Sequence, residues 1–88
     1  MKYDPGLEIV NLSHLEFGNM KVEVSHKDSK KMIALETALA AEKIEYQFIV
    51  GDGKAKDKIV FKRIIWPRLN FALFQAGLLK LETNKAET

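Results

Sequence analysis

The sequence predicts an α+β fold in the order β-β-α-β-β-α, a four-stranded antiparallel sheet with two helices packed on one face. Three observations point to it. Residues 7–24 are rich in branched and aromatic residues on either side of Gly18-Asn19, a dipeptide suited to a two-residue hairpin turn. Residues 27–44 are dominated by strong helix formers. Residues 46–65 hold two apolar runs around the loop Gly51-Asp-Gly-Lys-Ala-Lys-Asp57, and a second helix-forming stretch follows at once.

Pro5-Gly6 marks a turn, and 7–17 then reads as the first strand. With Gly18-Asn19 as the turn, Phe17 faces Met20, Glu16 faces Lys21, Leu15 faces Val22 and His14 faces Glu23. Apolar residues then pair on one face and opposite or titratable charges on the other, an arrangement worth up to ~1 kcal/mol per pair. The match also argues that the first nineteen residues belong to the fold and are not an unselected leader ahead of Met20.

Ser25-His-Lys-Asp28 has the spacing of a capping box, so the first helix is expected over 27–44. Its alanines at 34, 38, 40 and 41 give a smooth side able to lie close to a sheet. A short buried strand over 46–50 and its partner over 58–65 come next. Pro67 suits the first turn of the last helix, where its missing N–H leaves nothing unpaired that was not already so. That helix is expected to fray by Thr83-Asn84, giving a single domain over 1–82 and a flexible tail over 83–88. A faint repeat at an offset of 37 joins 34–45 to 71–82, both ending in Lys, an aliphatic residue and Glu.

Read as a helix through Leu81, the last segment has two apolar arcs. Leu69, Ala72, Leu73, Ala76 and Leu79 form one; Phe71, Phe74, Leu78 and Leu81 form the other. Asn70 and Gly77 separate them along one seam, Arg68, Gln75 and Glu82 along the other. One arc serves the core, and the second needs cover from the N-terminal segment or from another chain. Left in water, Phe71, Phe74, Leu78 and Leu81 would form a patch of several hundred Å², at the upper end of what monomers tolerate. These four residues are therefore the candidate protein interface, and a two-fold homodimer is the simplest cover.

Composition narrows the function classes. Eighty-eight residues, 47% apolar and 30% charged, suit one soluble domain with a modest core. No apolar run approaches the ~20 residues of a membrane span, and the opening residues lack the apolar core of a secretory signal. There is no cysteine, which removes disulfides and thiolate chemistry and leaves zinc only two histidines and carboxylates. A cytoplasmic protein without membrane contact, metal or small-molecule cofactor is expected.

The net charge of +2 is unevenly spread. Residues 1–50 carry six basic and eight acidic side chains, and 51–88 carry eight and four. Lys54, Lys56, Lys58 and Lys62 project to one side of an extended segment, with Arg63 and Arg68 beyond them, forming a ridge that could track phosphates. The ordinary alternative is an edge strand whose lysines discourage aggregation. No stacking pattern accompanies the ridge, since Tyr46, Phe48 and Phe61 read as core.

Other constellations are weaker. Gly51-Asp-Gly-Lys54 is not a phosphate loop: Phe48 stands where the first glycine belongs and Ala55 where Ser or Thr belongs, and a strand follows in place of a helix. His26, Lys27, Ser29, Lys30 and Lys31 gather where the first helix begins and could meet an anion, although solvated lysines are the ordinary account. His14 and His26 lie on separate elements, so no catalytic set forms and an enzyme is not expected. The expected function is a small non-enzymatic interaction or regulatory domain acting through protein contacts as a homodimer. The alternative is a nucleic-acid-binding module built on the basic segment 54–68.

Overall fold

A computed structural model describes residues 2–80 of the chain. Six strands, β1 (Lys2–Tyr3), β2 (Leu7–His14), β3 (Asn19–His26), β4 (Gln47–Ile49), β5 (Lys58–Ile65) and β6 (Leu79–Lys80), accompany two helices, α1 (Ser29–Ala41) and α2 (Trp66–Gln75). β2, β3, β5 and β4 form, in that order, a four-stranded antiparallel sheet, the architecture expected from the sequence. β1 and β6 add a two-stranded sheet that the sequence did not suggest, because two residues per strand leave no periodicity to read.

The core follows from alternation. Met20, Val22 and Val24 of β3 and Ile59 and Phe61 of β5 turn to the helices, where they meet Met32, Leu35 and Leu39 of α1 and Leu69, Ala72 and Leu73 of α2. Each of these larger side chains excludes water almost completely, a gain of roughly 1.5–3 kcal/mol apiece before the cost of ordering the chain.

The β2–β3 hairpin exists, but its register is not the one that Gly18-Asn19 implies. His14 lies opposite Met20, Ser13 opposite Lys21 and Val10 opposite Glu23, so neither expected charge pair forms. The physical reason is a longer loop. Leu15 N–H donates to the Asn19 carbonyl at 2.8 Å, and the Asn19 amide donates to the Glu16 carbonyl at 2.9 Å. Phe17 and Gly18 take the left-handed conformation at φ 58° and 74°, while Asn19 stays extended. A bulge between Val10 and Ser13, where Asn11 also has positive φ, absorbs a further residue. Leu15 and Phe17 are consequently exposed, and Leu7, Ile9 and Leu12 supply the hairpin's apolar face.

Helix α1 begins two residues later than expected because β3 runs through Ser25 and His26. Asp28, not Ser25, is the N-cap, its carboxylate accepting the Lys30 N–H at 2.9 Å. The helix ends in a Schellman motif: Ile44 N–H reaches the Leu39 carbonyl and Lys43 N–H the Ala40 carbonyl, with Lys43 at φ 56°. Leu39 and Ile44 close this turn as members of the core. The alanine stripe does not lie on the sheet as expected. Ala34, Ala38 and Ala41 line a groove of about 400 Å³ with Gln75 and Ala76 of α2. Small side chains there serve the approach of one helix to the other.

Candidate interaction surface

Helix α2 is shorter than its apolar pattern suggests. It stops at Gln75, and Gly77 at φ 79° reverses the chain, with Leu78 N–H donating to the Leu73 carbonyl at 2.8 Å and Gly77 N–H to the Phe74 carbonyl at 3.1 Å. This second Schellman motif carries Leu78 inward, where it is fully buried. The second apolar arc is thereby broken. Leu78 belongs to the core, correcting its assignment to an interface, and Leu81 lies outside the described residues, as does the expected tail 83–88.

Phe71 and Phe74 remain outside. Both are 45% exposed on a helix whose inner face is already filled by Leu69, Ala72 and Leu73. Tyr3, 38% exposed, joins this helix by donating its hydroxyl to Asn70 Oδ1 at 3.0 Å. Aromatic side chains of about 150–250 Å² exposed to this degree leave some 250 Å² of aromatic surface in water. That is within a monomer's tolerance and well below the ~800 Å² that a stable interface takes from each partner. Tyr3 was not foreseen, since the contact depends on β1 pairing with β6.

The basic residues do not form a continuous ridge. β5 pairs with β3 along its length and with β4 at Lys58–Val60, so the expected edge strand is interior at that end. Lys58 bonds Glu23 at 3.1 Å, and Lys56 reaches Glu8. Lys54, Lys62 and Arg63 are exposed, and Arg68 donates to the Glu42 carbonyl at 3.4 Å. The sheet face away from the helices is thus covered by a polar lattice. Ser25 donates to Glu8 at 3.4 Å and Asn11 to Glu23 at 3.0 Å. The Glu23 carboxyl is held below the usual carboxylate range by the Asn11 amide first and Lys58 second; Lys56 does the same for Glu8. Aliphatic stems of such residues cover apolar surface while their charges stay wet, which is how an open sheet face accommodates Val60.

A second polar constellation sits at the base of the hairpin. His26 is 5% exposed; its Nε2 lies 2.8 Å from Asp4 Oδ1 and its Nδ1 accepts the Asp28 N–H at 2.9 Å. Acceptance at Nδ1 places the ring proton on Nε2, which donates to Asp4. The Asp4 carboxyl is lowered mainly by the Gly6 N–H that it accepts at 2.8 Å and next by His26. Both ring nitrogens are engaged, so the pair ties the segment before β2 to the start of α1. His14, by contrast, is exposed on β2. Only the Asp4-to-His26 pairing of two distant polar residues could have signalled this clasp, and no local spacing encodes it.

Among the described residues no group of three or more His, Asp or Glu is placed to hold a metal ion, and no helix is long and apolar enough to cross a membrane. No protein-family model, curated protein or solved structure matches this chain.

Proposed function

We propose that this protein is a non-enzymatic, cytoplasmic contact domain that acts as a homodimer, with the outer face of α2 at or beside its interface. The observation that carries the reading is the pair Phe71 and Phe74, left half-exposed one turn apart on a helix whose inward side is already packed. Aromatic anchors of this kind dominate binding energy when a partner excludes water around them. The polar groups support the same view, because the buried histidine spends both nitrogens within the fold and the carboxylates nearest the lysines are paired.

Sedimentation or light scattering at high micromolar concentration tests the reading. A two-chain mass that changes little with salt is expected, and Phe74→Asp should weaken association while leaving a folded chain, since its side chain fills no core position. A wild type of one-chain mass would remove the homodimer. Salt-sensitive binding to a duplex or single strand, lost when Lys54, Lys62 and Arg63 are changed to Glu, would instead favour the basic segment.

A further inference from the structure

Three cations from three parts of the fold line one concave site. Lys43 follows the end of α1, Arg63 stands near the end of β5, and Arg68 lies in the first turn of α2. Far apart in sequence, they border a depression of about 260 Å³ that the buried Ile44 and Ile64 also line. All three are exposed, and among the described residues none of them pairs with a carboxylate, whereas Lys56 and Lys58 both do. Lys43 is further held at φ 56° by the Schellman motif that ends α1, at a position where glycine is the usual occupant and a lysine is disfavoured. A side chain kept against its backbone preference, beside two other unpaired cations, points to a use for its charge.

Part of this charge answers α1 itself. The helix end carries about half a negative charge, and Arg68 already donates to the Glu42 carbonyl there at 3.4 Å. Glu45, the one carboxylate lining the depression among the described residues, offsets one cation more. Glu16 lies on the other flank of Arg63, in a separate depression with His14 and Leu15. Roughly 1.5 positive charges are left over. We propose that this depression binds a phosphate dianion, the group shared by free phosphate and phosphomonoesters, with Lys43, Arg63 and Arg68 as its cationic ligands. Such a group carries about −1.5 to −2 charges at neutral pH and three acceptor oxygens, matching both the surplus charge and the number of cations. A backbone phosphate of a nucleic acid carries a single charge, and its strand needs an extended track of cations in place of one compact site. The site does not depend on the homodimer and is tested apart from it.

Titration of the isotope-labelled full chain, followed by NMR, tests this with three probes: glycerol phosphate, inorganic phosphate and dimethyl phosphate. The first two should give saturable shifts at Lys43, Arg63 and Arg68, and the singly charged diester should bind at least roughly tenfold more weakly. Tighter binding of glycerol phosphate assigns the site to an organic phosphomonoester, and equal binding assigns it to phosphate itself. Lys43→Gly relieves the left-handed backbone, so it should raise the melting temperature while weakening phosphate binding roughly tenfold, a combination that a purely structural lysine does not produce. Arg63→Gln, at an exposed position, should weaken binding to the same degree, and Glu45→Gln, which removes the opposing charge, should tighten it severalfold. Shifts that fail to saturate, shifts centred on Lys54 and Lys62, equal affinity for dimethyl phosphate, or unchanged affinity in both Lys43→Gly and Arg63→Gln would each overturn the proposal.

Discussion

The β2–β3 hairpin is clamped at its base and unsupported at its tip, although the same two strands form both ends. At the base, Asp4, Gly6, His26 and Asp28 lock together within hydrogen-bonding distance, and the imidazole is almost wholly buried. At the tip, Phe17 is 89% exposed with φ at 58°, a conformation that costs a non-glycine residue roughly 1–2 kcal/mol. The difference shows where this small fold draws its definition. Close contact among a few polar groups fixes one end, and the absence of any contact lets the other keep a residue whose preferences it violates.

The base should be the more sensitive end. A Cβ on Gly6 would lie 2.7 Å from His26 Cε1 and 2.9 Å from its Nε2, closer than real Cβ atoms come to such neighbours. The imidazole has little room to retreat, since its other nitrogen is held by Asp28. Gly6→Ala should therefore cost about 1–3 kcal/mol, the range for overpacking a filled site. Urea denaturation reads this directly, and an unchanged midpoint would mean that the base is no tighter than the tip.

The same contrast explains which parts of the molecule were legible in the sequence. The strands at the centre of the sheet were, because Met20, Val22 and Val24 alternate with Lys21 and Glu23, and burial on one face enforces that period. The start of α2 was legible from Pro67, and its end should have been legible from Gly77, whose glycine signal was outweighed by the apolar residues continuing beyond it. Leu78 and Leu79 looked like a further helical turn, but they are a reversal and a strand. Gly18-Asn19 is a strong local signal for a two-residue turn, but the left-handed pair is Phe17 and Gly18, and an extended Asn19 closes a longer loop through its carbonyl and its side-chain amide, which moves the register. For the candidate surface, Phe71 and Phe74 were visible from helical spacing alone. Tyr3 and the Asp4–His26 clasp were not, since each joins residues far apart in the chain whose proximity only the finished topology creates.

A smaller effect separates the ends by pH. The Asp4 carboxyl titrates below its ordinary value of 3.8 in the folded chain, held down by the Gly6 N–H and then by His26. A carboxylate lowered on folding stabilises above its unfolded pKa, and that contribution is lost as pH falls through the folded value. Asp4 therefore contributes fully above about pH 5 and progressively less below about pH 4. Asp4→Asn should lower the melting temperature near neutrality and flatten part of the acid limb, leaving the shares of Glu8 and Glu23, which are lowered as well. Parallel acid limbs for wild type and Asp4→Asn would show that the clasp adds nothing to stability.

The smallest effect is expected at Phe17, and its sign is the opposite. Substitution there removes no burial, because the ring stands in solvent and belongs to no core cluster. What changes is the backbone. Asparagine occupies the left-handed region far more readily than phenylalanine, since its short polar side chain bonds locally, and it avoids the extra unfolded-state freedom of glycine. Phe17→Asn should stabilise the hairpin by about 0.5–1 kcal/mol, a few degrees in the melting temperature of a domain this size. The Leu15-to-Asn19 and Asn19-to-Glu16 hydrogen bonds that close the loop use no atom of the Phe17 side chain and remain available. A loss of stability in Phe17→Asn, measured by thermal unfolding at low micromolar concentration, would show that the ring packs against something within the chain. The tip would then be a held end like the base, and the contrast between them would fail.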